Sequence, residues 1–169
     1  MKRAVLALSA LLLLLAGGCT VKYTLSGASI PPDAKTFSVA YFPNNAPMVA
    51  PILSATLTDE LTQRFATRTR LVQVPEGGDF AFEGEIVSYT STTSSVASGD
   101  YALQNRLTIT VKVNFTNAVD DKASFKARSF SAYADYDSTK LLTEVEGTLI
   151  PEIVDQLVTD IFMAAASNW

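Results

Sequence analysis

The chain has 169 residues, a formal charge of −4 and no histidine, which excludes Ser-His and Cys-His nucleophile pairs and most zinc and copper sites. Its one cysteine, Cys19, has no partner for an internal disulfide. The acidic balance argues against nucleic acid, which selects a basic surface.

Residues 1–18 read as a secretory signal peptide. Lys2 and Arg3 form a positive start, Ala4 to Leu15 is apolar apart from Ser9, and Ala16, Gly17 and Gly18 are small. The apolar run is shorter than the ~20 residues that span a bilayer. Removing residues 1–18 takes away two cations, leaving 11 basic residues against 17 acidic ones, a formal charge of −6.

The segment Leu15-Ala16-Gly17-Gly18-Cys19 resembles the bacterial lipobox. That resemblance implies cleavage before Cys19 and acylation of its thiol. Two or three acyl chains anchor stably where one does not, because each buried methylene contributes ~0.8 kcal/mol.

Residues 19–30 read as a lipidated tether leading into a short strand, and 31–169 as a single domain. Pro31-Pro32 ends the tether. Thr36 to Phe42 is an extended run rich in β-branched and aromatic residues, stopped by Pro43 and Asn44-Asn45. A helix is predicted from Pro51 to about Thr69, because Ile52/Leu53, Leu57, Leu61 and Phe65 share one face. Pro51 suits the first helical position.

A short strand at Leu71 to Val74 and a turn at Pro75 to Asp79 follow. Phe80 to Tyr89 is the next strand, and the Ser/Thr/Gly-rich 90–101, with Tyr101, reads as a hairpin tip or loop. Leu107 to Phe115 alternates apolar and polar residues without a break, the pattern of a strand with one buried face. Asp120 to Lys122 is a turn. Phe125 to Asp135 is a strand whose apolar phase shifts near Ser129, the mark of a bulge. Val145, Leu149, Ile153, Leu157 and Ile161 then define a helix, with Thr143 and Glu146 at capping-box spacing. Pro151 gives that helix two readings: a start at Thr143 with a bend, or a start at Ile150. The order predicts an α+β domain, with two helices on one face of a mixed, mainly antiparallel sheet.

An ordered set of phrases carries a family resemblance. They are Tyr23 to Ile30, Val39 to Asn44, Phe80 to Ile86, Gln104 to Val111, Phe130 to Asp137, Ile161-Phe162 and Asn168-Trp169. Together they resemble the LptE family of lipopolysaccharide-assembly lipoproteins, in the form found in Bacteroidetes. The resemblance implies two helices on a mixed sheet of about four strands, with no catalytic residue, cofactor or metal. It also implies an outer-membrane lipoprotein on the periplasmic side. Such a protein plugs and supports the β-barrel LptD, with lipopolysaccharide and the membrane as its other partners. The absence of an Asp/Glu run after Thr20 agrees with the periplasmic leaflet. The alternatives are a lipid-carrier accessory of an envelope transport system, which would need a sizeable apolar cavity, and a hydrolase using carboxylates, which would need a cleft.

Arg64, Arg68 and Arg70 form a basic cluster at the end of the first helix. Guanidinium groups suit lipid phosphates or acidic groups of a barrel lumen. Cations at a helix C-terminus equally complement its dipole. Glu83 and Glu85 share a strand face and read as solvated. Asp137-Ser138-Thr139 is similar to a three-residue O-glycosylation acceptor centred on Ser138.

Overall fold

The computed structural model describes residues 30–48, 50–94 and 103–166. Cys19, the strand expected before Ile30, Tyr101 and Trp169 lie outside them. One mixed sheet holds five strands: β1 (Thr36–Val39), β2 (Val72–Gln73), β3 (Phe80–Ser94), β4 (Gln104–Asn117) and β5 (Phe125–Asp137). Their spatial order is β2-β1-β3-β4-β5. β1 pairs parallel with β2 and β3, while β3, β4 and β5 form an antiparallel meander. The helices α1 (Leu53–Arg68) and α2 (Leu142–Ala166) cover one face. The expected class holds, and the sheet has one strand more than the expected four, because Val72–Gln73 adds to the edge of β1.

The pleat of β4 places Leu107, Ile109, Val111, Val113 and Phe115 against the helices, each at most 1% exposed. The opposite face, with Lys112 and Asn114, is open to solvent. β3 keeps the same phase through Phe80, Phe82 and Ile86. Its register with β4 then shifts between Ile86 and Ser88, and Tyr89 becomes the next inward side chain. Beyond Tyr89 the strand continues to Ser94, so 90–94 is not the loop its composition predicted. Thr90, Ser91, Thr92 and Thr93 pair with Thr108 to Asn105, and β-branched threonine fits a pleated surface.

The expected bulge in β5 lies at Lys126 and Ala127, two residues before Ser129. Register passes from Phe115 opposite Phe125 to Val113 opposite Arg128, leaving Asn114 against the extra residue. Ala127 takes a φ of 49°, and its N–H donates to Asn114 Oδ1 at 2.8 Å.

Helix α1 begins at Leu53, two residues after Pro51, which sits in the preceding turn. Leu53, Leu57, Leu61 and Phe65 are fully buried, as their spacing predicts. Helix α2 runs unbroken through Pro151. The proline and Gly147, whose carbonyl loses its donor, both lie on the exposed side, where solvent has access to the freed carbonyl. The expected Thr143–Glu146 capping box does not form. Leu141 takes the cap position, Glu144 Oε2 accepts its N–H at 3.1 Å, and Glu146 turns to the core.

Aromatic rings tie the layers together. Phe65 of α1 lies 5.8 Å from Phe37, 4.6 Å from Phe82 and 5.0 Å from Phe162, between ring centroids. Phe115 stacks on Phe82 at 4.8 Å. Gly84 makes room for Phe42, since a Cβ at Gly84 would stand 2.5 Å from that ring.

Strand directions give the domain two distinct ends. β1, β3 and β5 run one way, and both helices return the other way. The starts of these strands and the helix C-termini therefore share one end with Ile30, the first described residue. The helix N-termini lie toward the far end, with Ser94, Gln104 and Asp137.

Candidate functional site

The structure gives the three arginines separate surroundings. Arg64 bridges the helices: it lies 2.5 Å from Asp155 and 3.2 Å from Glu60, and donates to the Thr159 hydroxyl at 2.9 Å. Arg70 reaches back to the carbonyl oxygens of Ile30 at 3.2 Å and Pro31 at 2.6 Å, fixing the chain where it enters the domain. Arg68, in the last turn of α1, is exposed and makes no hydrogen bond or ion pair with another described residue.

Glu83 is exposed opposite Asn114 on the outer face of the sheet. Glu85 faces Lys112 and accepts from Asn45 Nδ2 at 2.7 Å. Ser138 sits in the turn after β5, half-buried, with its N–H on the Leu103 carbonyl at 3.2 Å. The preceding Asp137 carboxylate accepts from the Thr139 hydroxyl and N–H at 2.7 and 2.8 Å. The Thr139 hydroxyl, followed by its N–H, holds that carboxyl below its ordinary range.

Three arrangements have no local sequence signal, because each joins residues far apart in the chain. Asp79 accepts from the N–H of Lys35 at 2.8 Å, the N–H of Thr36 at 2.9 Å and the Thr36 hydroxyl at 3.0 Å. These bonds, led by the Lys35 N–H, lower the Asp79 pKa from 3.8. On the outer sheet face, Arg106 makes a bidentate pair with Asp135 at 2.7 and 2.8 Å. Its guanidinium carbon stands 3.7 Å from the centre of the Tyr133 ring.

The third arrangement lies toward the far end. Tyr89 is buried and donates to Glu146 Oε2 at 3.0 Å. Burial, then the bond to Glu146 and its charge, push the phenol above its ordinary value. Beside this pair is a recess of about 380 Å³, lined by Met48, Tyr89, Leu141, Leu142, Thr143 and Glu146. Leu141 is 67% exposed and Met48 48%.

Among the described residues no group of three potential metal ligands occurs. No described helix is long and apolar enough to cross a membrane. The class defined by this geometry is an α+β domain of two parallel helices on one face of a mixed sheet, with an aromatic-rich core between the layers. The family model for lipopolysaccharide assembly, LptE, matches residues 34–165. The chain belongs to the LptE family, whose members are non-enzymatic lipopolysaccharide-assembly lipoproteins.

Solved structures are similar to this chain at low identity. The hypothetical protein CT253 from Chlamydia trachomatis is 11% identical, with a TM-score of 0.51 over 76% of this chain and 93% of that one. A minor lipoprotein from Acinetobacter baumannii is 16% identical, with a TM-score of 0.48 over 78% of this chain and 94% of that one. No curated protein matches the chain.

Proposed function

We propose that this chain is an outer-membrane lipoprotein, acylated at Cys19 and facing the periplasm, that plugs and supports an LptD-type β-barrel during lipopolysaccharide assembly. The match to the lipopolysaccharide-assembly family over residues 34–165 carries this reading. The lipobox-like segment ending at Cys19 supplies the anchor, and two or more acyl chains suffice to hold it at the membrane.

The packing between helices and sheet favours a plug over a lipid carrier. A carrier needs space there for an acyl chain. Here Phe37, Phe65, Phe82, Phe115 and Phe162 fill the layer with rings in mutual contact. The work of such a protein is to present a rigid surface, and the aromatic core supplies the rigidity.

Depletion of the chain from its native cell tests the reading. Surface lipopolysaccharide falls, and a copy with Cys19→Ala leaves the membrane fraction and fails to restore it. Unchanged surface lipopolysaccharide after depletion overturns the proposal.

A further inference from the structure

Both helices break the same local rule. An N-cap position favours Ser, Thr, Asp or Asn, whose side chain satisfies an orphan N–H, and replacing one with Ala is destabilising. Here Ile52 caps α1 with no side-chain hydrogen bond, and Leu141 occupies the cap of α2. Neither aliphatic side chain is used in the core: Ile52 is 47% exposed and Leu141 67%. Scattered exposed leucines are ordinary, but two helix starts with an aliphatic residue in place of a polar cap, both showing it toward one end, are not. Met48 and Leu141 share the wall of the recess of about 380 Å³, and Leu103 is exposed near the same turn. Breaks in local sequence rules concentrate at functional or strained sites, and a surface used for contact is one such site.

Charge and chain geometry identify the occupant. Glu146 is the charged side chain in the wall of the recess, and the segment 137–146 that forms much of that wall also carries Asp137 and Glu144 against Lys140, all three exposed. An acidic rim is repelled by anionic lipid headgroups. The tether enters at the opposite end, where Arg70 holds Ile30. Cys19 and Ile30 are 11 positions apart, so the tether reaches at most ~40 Å. Tyr89, beside the recess, lies nine residues along β3 from Phe80, which pairs with Phe37 of β1, a rise of ~30 Å. Laying this end on the anchoring leaflet therefore demands that most of the tether's reach be spent running back along the domain.

We propose that the Met48–Leu141 recess and the flanking Ile52 form a docking surface for a protein segment that brings apolar side chains and at least one cation. On the plug reading, on which the partner's identity rests, that segment belongs to the barrel. The apolar side chains cover Met48, Ile52 and Leu141, and the cation pairs with the Glu146 side of the recess.

The test uses the full lipidated chain in its native envelope, with a photo-crosslinking amino acid in place of Leu141 or, as the control, of Val72. Val72 is 65% exposed on the edge strand at the tether end. The expected result is a crosslink from position 141 to the barrel and none from position 72. A second measurement compares Leu141→Asp with the parent chain. This exposed position tolerates a carboxylate, and Asp is a favoured cap, so the variant folds while the barrel recovered with it falls about tenfold, as for a central interface anchor.

Crosslinks from position 141 only to lipid, or to a second copy, overturn the inference. So does undiminished barrel recovery with Leu141→Asp. If the barrel co-purifies with the parent chain while position 141 fails to reach it, the docking surface is wrong and the plug reading stands. If no barrel co-purifies at all, the plug reading itself fails.

Discussion

Side chains that look alike in the sequence do different work in the fold. Arg64, Arg68 and Arg70 lie within one short stretch, yet one ties the helices, one fixes the entering chain and one faces solvent. Spacing alone could not separate these roles, because the partners Asp155 and Ile30 lie 91 and 40 residues away. The same holds for Asp79, whose three donors come from Lys35 and Thr36. Its pKa is lowered from 3.8 in the folded state, so its ionised form stabilises the fold above that pH. This stabilisation is lost as pH falls through the depressed value. Asp135, held down first by the Arg106 hydrogen bond, titrates in the same direction. Replacing Asp79 by Asn therefore lowers stability at neutral pH and flattens the loss of stability below about pH 4. Urea unfolding at a series of acidic pH values reads both effects, and an unchanged slope against pH contradicts the assignment.

Elements were legible wherever one period dominated. The alternation from Leu107 to Phe115 and the i+4 series of Leu53, Leu57, Leu61 and Phe65 both placed the buried face correctly. The Ser/Thr-rich end of β3 was not legible, because its strand state depends on pairing with Gln104 to Thr108 rather than on its own apolar pattern. The bulge in β5 showed as a broken phase, but its position depends on Asn114 opposite. Pro151 is the sharpest case. The sequence allowed a helix from Thr143 that bends or one from Ile150, and the helix starts at Leu142 and continues past the proline, with Gly147 four residues earlier presenting no side chain there. An interior proline still forfeits a hydrogen bond, so Pro151→Ala stabilises the domain by about 1–3 kcal/mol. The check is a raised urea midpoint at unchanged slope. No change would mean that residues 142–150 fold independently of the rest of α2.

At the scale of the whole molecule, the two ends differ in chemistry and in what they can reach. One end holds Ile30 and Pro31 through Arg70, and the other presents helix starts without a polar cap side chain, exposed aliphatic side chains and the acidic segment 137–146. The layers between them are packed with aromatic rings, so the domain can hold those ends in fixed relation. That polarity was invisible in the sequence, since it emerges from strand directions that bring residues 48, 89 and 141 together. It suits a body anchored at one end and inserted by the other. The direct measurement is purification of a tagged, lipidated copy from the native outer membrane in mild detergent, with the co-purifying proteins identified and quantified. The account predicts a large β-barrel in one-to-one amount. Recovery of bound lipid or an inner-membrane transporter, with no barrel, would contradict it.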